Sequence, residues 1–461
     1  MDFDDHKFLR FLQAAGQGLT KSLKDLLSNI PNPNEYLNTV DEVTVNQKWS
    51  VLMAGCLTER IDLVRMLLES FQPDLEILNT VQIQIRDRDK DNQFETFEHV
   101  TVLWVAAAVN NLPLVQLLVE HGANVNHRTK TNSTPVRCAC CNNNIDMVRY
   151  LIAHGADIHI AKIKHLTNLL ASAYNGHLQM AIYLVDELGC DVNECSDNGQ
   201  SPLNAVVSKG FLNIAQFLLE HGARNSLVDY NQMTPLMLAA ENRRVDLVEA
   251  ISPYCPLIEQ IEGEELLASA FICIELGESS SDEAMKYLIR ALGRRSIHQI
   301  RKPIQQSTHI VFNHRQECQT IGQLLTLEHN SDLMYIEALL IRERILGKKN
   351  KKYLHSLHVH GEILLDNEEY QAGLAMWMYE LSLYQTESIE IDKEDLRYFV
   401  YALSFVIKQS VAIPMDCFYT LINVTSDKLK HPQNHSDYDY NLLTLLFFIT
   451  ITSKVNIIRL S

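Results

Sequence analysis

A basic excess is the first thing this sequence lacks. Lysine and arginine number 40 against 57 aspartates and glutamates, a formal net charge of −17. That balance excludes a general nucleic-acid or anionic-membrane binder and leaves open only a local basic pocket. A secretion signal is also missing, because Met1-Asp2-Phe3-Asp4-Asp5 is acidic where a signal peptide is basic and then apolar. Long apolar runs are scarce. The longest late one, Leu442 to Ile451, is too short to span a bilayer and precedes Lys454, so it reads as a buried helix rather than a tail anchor. The 10 cysteines, with no signal before them, read as reduced thiols. The expected compartment is the cytoplasm, or cytoplasm and nucleus. Catalytic motifs are absent as well: the sequence has no Walker motif, no G-x-S-x-G elbow, no H-E-x-x-H and no paired-cysteine zinc pattern. The expectation is a binding protein without catalytic residues, cofactor or metal.

What the sequence has is periodicity. A Thr or Ser followed by an apolar pair recurs at Ser50, Thr101, Thr134, Thr167, Ser201 and Thr234. After a first step of 51 residues the steps are 33, 33, 34 and 33, so the first carries an insertion of 18. Glycines keep the same rhythm at Gly122, Gly155, Gly189 and Gly222. T-P-L opening one helix and H-G-A-x-V-N closing another, at this interval, resemble the ankyrin repeat. One such unit has no core of its own and must stack on its neighbours. In the third repeat, Leu103, Val105, Ala106 and Ala107 supply the inner helix. Leu112, Leu114, Val115, Leu117, Leu118 and Val119 supply the outer one.

The repeats are expected to fill residues 1–256, about seven of them, with the insertion near 80–98. Residues 6 to 37 read as a degenerate first repeat, with Leu9, Leu12, Leu23, Leu26 and Leu27 at helical spacing. The polar stretch around Arg86 to Gln93 reads equally as a solvated loop or as a flap beside the concave face. Residues 257–455 read as a helical domain and 456–461 as a short tail. Expected helices run from Glu264 to Leu276, Asp282 to Leu292, Gln323 to Leu346 and Tyr353 to Leu383, the last as two. The text "HGEILLDNEEYQAGLAMWMYEL" resembles a tetratricopeptide unit through Gly361, Tyr370 and Trp377, with Leu364, Gly373 and Glu380 as departures. The fold class is therefore all-α: an ankyrin solenoid followed by a tetratricopeptide-like domain.

Inner-helix positions facing the groove are Ala108, Val109, Cys141, Asn142, Tyr174, Asn175, Ser208, Lys209, Glu241 and Asn242. This neutral, amide-rich set reads as a ligand groove in preference to a merely solubilising face. Arg137 suits either a peptide carboxylate or the repeat edge. Cys138, Cys140 and Cys141 near His127 match zinc chemistry, yet cysteine at inner-helix positions reads first as packing, with Cys141 facing outward. His355, His358 and His360 read as surface or packing histidines. Arg342-Glu343-Arg344 with Lys348-Lys349 reads as a solvated helix end.

Three further stretches, "TNSTPVR" from Thr131, "IEGEELLASAF" from Ile261 and "LLIRERILG" from Leu339, resemble the Fem (feminization) family of ankyrin proteins. The resemblance implies a substrate receptor of a cullin-RING ubiquitin ligase. The repeat groove would hold a C-terminal degron, and Elongin and the cullin would be partners. Two departures are legible. The likeness fades near Ser453-Lys454 without a Leu-x-x-x-Cys-type box, which speaks against ligase docking and leaves a short isoform, an incomplete chain or a diverged paralogue open. A ligase-free scaffold or substrate-binding competitor is the alternative. Arginine-reading members place carboxylates where this chain has Gln93 and Asn142, so a preference for C-terminal arginine is expected to be weakened. The resemblance leaves Trp104, Asn126, Asn132 and Ser133 matching.

Overall fold

The computed structural model describes residues 5–44, 47–84, 94–274, 278–303 and 309–387, together with Ile389 and Phe399. It separates into two compact units that meet in sequence at Tyr230 and Asn231.

The first unit is a helical repeat array. The periodic Ser or Thr is the N-cap of each inner helix. Ser50, Thr101, Thr167 and Ser201 accept the backbone N–H three residues on, at 3.2, 3.4, 3.1 and 3.1 Å. Each bond satisfies a donor that the first helical turn leaves bare. Thr134 departs: its helix, Pro135–Cys141, has no side-chain cap, and its buried hydroxyl has no hydrogen-bond partner among the described residues. The outer helices Leu112–Glu120, Ile145–Ala153 and Leu212–Glu220 end in the H-G-A motif. Its histidines bond back through Nδ1 to the carbonyls of Leu117, Tyr150 and Phe217, four residues earlier. The following Gly122, Gly155 and Gly222 take φ of 91°, 88° and 84°. The Ala N–H then closes onto the carbonyl five residues back. The apolar residues of the third repeat's two helices are buried as read, except Leu112 and Val119, which are half-buried.

At Gly176, in the turn between helices Asn168–Tyr174 and Leu178–Ile182, neighbouring repeats crowd: a Cβ there would lie 2.6 Å from the ring of Phe211 in the next repeat's turn. The degenerate first repeat forms helices Asp5–Gln17 and Thr20–Ser28. Its packing residues are Phe8, Phe11, Leu12, Leu23 and Leu27, whereas Leu9 and Leu26 are exposed. Aromatic side chains thus do part of the work read into the leucines.

Helices dominate, but strands are present. Asp41–Thr44 (β1), Gln47–Trp49 (β2), Asn79–Gln84 (β3) and Phe94–Val100 (β4) form one antiparallel sheet in that order. β3 and β4 run from Asn79 opposite Val100 to Gln84 opposite Phe94. The flanks of the insertion are therefore a β-hairpin instead of a loop. Its alternation of apolar and polar residues has the strand period of two. The tip, including Gln93 and most of the charged run, lies outside the described residues.

The second unit opens with the seventh repeat's hairpin, Pro235–Glu241 and Val245–Ile251. Helices Leu257–Ile274 and Glu278–Ile297 follow, each longer than its apolar text. The expected Gln323 to Leu346 helix divides into Ile321–Leu325 and Ser331–Leu346, because Asn330 caps a new start by accepting from Leu333 N. Lys351–Asp366 and Tyr370–Thr386 make the tetratricopeptide-like pair. The pair crosses closely where Gly361 faces the Trp377 ring, and Gly373 approaches the Gly361 carbonyl. Trp377 Nε1 donates to the His358 carbonyl at 3.0 Å. Glu380 accepts from His358 at 3.1 Å. The departures at Gly373 and Glu380 are thus built into the crossing. His358 and His360 are packing histidines, the latter stacked 4.3 Å from Tyr335.

The arginine run is not a solvated helix end. Arg342 is buried against Glu241 at 2.7 Å. Arg344 reaches Glu262, Glu265 and Glu317 at 2.9, 2.6 and 2.7 Å. Arg295 and Lys302 join the same lattice through Glu265 and Glu317. "IEGEELLASAF" and "LLIRERILG" are therefore complementary halves of one buried ionic network. Glu241, read as a groove position, is internal to it.

Candidate peptide-binding face of the repeat array

The ends of the inner helices build the candidate face. Ala108, Val109, Cys141, Asn175 and Lys209 are half-buried there, and Asn142, Tyr174 and Ser208 are exposed. Asn142 ends its helix and donates its amide to the carbonyls of Ala107 and Ala108, both at 3.1 Å. Its side-chain oxygen is what remains to meet a ligand. Beside it lies an open cleft of ≈ 550 Å³ lined by Asn110, Asn142, Asn143, Asn144, Asp146 and Arg149. Asn110 and Asn143 occupy the left-handed region at φ 63° and 56°. Asparagine tolerates that backbone better than most residues, which accounts for its recurrence in these turns. Asn144 donates to Asn110 Oδ1 at 2.8 Å, joining consecutive turns.

Further along, Lys209 Nζ sits 4.3 Å from the centroid of the Tyr174 ring. The ammonium and the ring face attract. The pair gives the array an aromatic surface beside a cation. Asp146 and Arg149 were not among the residues singled out from sequence. They follow the Asn142-Asn143-Asn144 run and start the next outer helix, so their signal was the turn itself.

The other sequence-selected residues hold the array together. Trp104 is buried and donates from Nε1 to Ser133 Oγ at 3.3 Å. Its ring lies 4.9 Å from Phe97 of β4. Asn126 donates to Gly155 O and accepts from Asp157 N, each at 2.8 Å. Asn193 makes the equivalent bonds to Gly222 O and Arg224 N one pair of repeats later. Asn126 is thus a stitch between repeat loops. Asn132 Nδ2 donates to Ala161 O at 2.6 Å. Arg137 Nη1 donates to Leu166 O and Thr167 O at 2.6 and 3.1 Å, which ties it to the edge of the next repeat.

Cys138 and Cys140 are buried, and burial pushes both thiols far above their ordinary range. Burial also raises Cys141, whose carbonyl accepts from His177 at 2.8 Å. These are packing thiols rather than nucleophiles. Among the described residues no group of three His, Cys, Asp or Glu side chains is placed to hold a metal ion. His127 is engaged elsewhere, 3.4 Å from Glu76 and 3.1 Å from the His99 carbonyl of β4. The hydrogen bond to Glu76 raises its pKa. This contact ties the insertion hairpin to the second and third repeats. No described helix is long and apolar enough to cross a membrane.

This architecture defines an ankyrin-repeat protein, a class whose working surface is for protein–protein interaction. The family model for ankyrin repeats (3 copies) matches residues 74–162 and 169–256. The chain is 32% identical over 311 residues to protein fem-1 homolog A-A of Mus musculus, covering 59% of this chain and 47% of that relative. It is 32% identical over 311 residues to protein fem-1 homolog A of Rattus norvegicus, with the same coverage. To protein fem-1 homolog C of Homo sapiens it is 31% identical over 180 residues, 38% of this chain and 28% of the relative. The chain thus carries ankyrin repeats and is similar to fem-1 homologs over part of its length. It spans about half or less of the length of these relatives.

Proposed function

We propose that this chain is a substrate-recognition subunit that binds C-terminal peptides of other proteins along the repeat face. Delivery to a cullin-RING ubiquitin ligase through Elongin is the assembly that the family resemblance supports. The chain would act by proximity, holding a substrate lysine near ubiquitin activated on another subunit. The observation that carries the reading is the asparagine-rich cleft at Asn142, whose Asp146 and Arg149 balance in charge, together with the Tyr174–Lys209 pair further along. Such a surface has acceptors, donors and an aromatic ring but few fixed charges, which suits a polar or neutral peptide end. The test is co-purification of Elongin and cullin with the full chain, alongside peptide binding by native and Asn142→Ala, Tyr174→Ala protein. Stoichiometric Elongin with peptide binding lost in the double variant supports a ligase receptor. Peptide binding without Elongin supports the scaffold or competitor. Unchanged peptide binding in the double variant refutes this face as the site.

A further inference from the structure

The second unit holds a cleft of a different chemistry. It lies where helix Glu278–Ile297 ends, has a volume of ≈ 590 Å³, and is lined by Arg295, Arg301 and Lys302. Ser296, Gln299 and Gln319 add neutral hydrogen-bonding groups, and no carboxylate lines it among the described residues. Arg295 and Lys302 are paired behind the wall with Glu265 and Glu317, so Arg301 carries the charge that a ligand would meet first.

Two features prepare the cleft for an anion. The first is fixed cations. Arg295 and Lys302 are almost fully buried and held by carboxylates of the lattice. Arg295 pairs with Glu265 at 2.7 Å, and Lys302 with Glu317 at 3.0 Å. Their side-chain entropy has been given up on folding, so a ligand need not order them. Arg295 Nη1 is buried and has no hydrogen-bond partner among the described residues. A guanidinium with an unsatisfied N–H is costly inside a protein.

The second is the helix end. A bare C-terminus repels anions through its carbonyls. Here the carbonyls of Arg294, Arg295 and Ser296 accept from the N–H groups of His298, Ile300 and Gln299. The turn needs a left-handed residue, and Gln299 fills it at φ 54°. Glycine or asparagine takes that conformation at less cost. A longer polar side chain is kept there, on the wall of the cleft.

We propose that this cleft binds a small, soluble organic phosphate. Arg295 gives Nε and Nη2 to Glu265 and has Nη1 left for one charge-assisted bond, while Arg301 can offer the bidentate match that phosphate oxygens favour. The volume exceeds a lone phosphate and falls within the range of small-molecule sites. Arg301, exposed at the rim, would close on the anion from outside.

The test is calorimetric titration of the full chain with pyrophosphate and with inorganic phosphate as probes. The expected result is saturable pyrophosphate binding, tighter than that of phosphate and weakened by salt. Arg301→Ala should weaken it at least tenfold, and Gln319→Ala by less, with both variants melting as the native protein does. Absence of saturable binding at millimolar pyrophosphate, or binding unchanged in Arg301→Ala, overturns the proposal. Binding of a phosphoserine peptide but not of pyrophosphate would likewise overturn it and assign the cleft to a protein partner.

Discussion

We propose that ligand specificity turns on Asn142. Its amide N–H groups are engaged by two backbone carbonyls, which orients its oxygen. A ligand guanidinium would meet a dipole there, where hydrogen bonds are worth about 1 kcal/mol against roughly 1.5–3 for charged partners. Asn142→Asp, combined with Gln93→Asp, should raise affinity for peptides ending in Arg by about tenfold, or ~1.4 kcal/mol. The substitution should also lower stability by about 1–3 kcal/mol, because a carboxylate donates nothing to the Ala107 and Ala108 carbonyls. Calorimetry with Arg-, Gln- and Ala-ended peptides, and a denaturant melt, measure both effects. His127 makes a second prediction at this scale. Its bond to Glu76 raises its pKa from an ordinary 6.5. Burial alone would raise Glu76, but the His127 bond and the Asn124 N–H outweigh it and hold it below 4.5. The histidine's contribution is present below about 6.5 and fades as pH rises through its folded pKa. The glutamate's is present above about 4.5 and fades as pH falls through its own. Attachment of the β3–β4 hairpin should therefore be firmest between those values. Hydrogen exchange of Phe97 to Val100, corrected for intrinsic rates, should show this maximum in native protein and a flatter profile in His127→Gln.

At the level of elements, the repeating Ser or Thr makes a graded forecast. Thr167→Ala removes a formed cap bond and should cost about 1 kcal/mol. Thr134→Ala should cost close to nothing, because the buried Thr134 hydroxyl bonds to no described group. Equal losses at the two sites would refute the cap assignment. Gly361→Ala should cost about 1–3 kcal/mol, since its new Cβ would lie 2.6 Å from Trp377 Cδ1 and force the helix pair apart. These elements were legible because caps, turn glycines and apolar faces recur at fixed intervals. The hairpin of the insertion was not read, although its alternation was present, because a polar run at its tip dominated the composition. The candidate face was legible at a coarser level, as a set of inner-helix ends. Spacing placed the exposed inner-helix ends well, at Asn142, Tyr174 and Ser208. It could not show the hydrogen bonds of Trp104, Asn126, Asn132, Ser133 and Arg137, because their partners lie about one repeat away. The ionic lattice escaped for the same reason: Arg342 and Glu241 are 101 residues apart in sequence.

For the molecule as a whole, the ankyrin text and the compact unit end at different places. The text runs to 256, whereas the first unit stops at Tyr230 and the seventh repeat packs within the second. Arg342 and Glu241 are both buried, and breaking such a pair costs about 3–5 kcal/mol. Arg342→Met should destabilise the second unit by that order, and Arg342→Met with Glu241→Leu should recover most of it. We propose that residues 1–256 still fold and bind peptide, with helices Pro235–Glu241 and Val245–Ile251 exchanging faster than in the full chain. The central proposal is that the array reads a peptide's C-terminus through a face that presents an amide, not a carboxylate, at position 142, with Asp146 balanced by Arg149 on the same wall. The most direct measurement is a binding screen of C-terminal peptide libraries against the full chain, with each peptide also tested amidated. The expected result is selection of neutral or polar endings such as Gln or Ala, no preference for Arg, and loss of binding on amidation. A tenfold preference for Arg, or binding indifferent to amidation, would contradict the account.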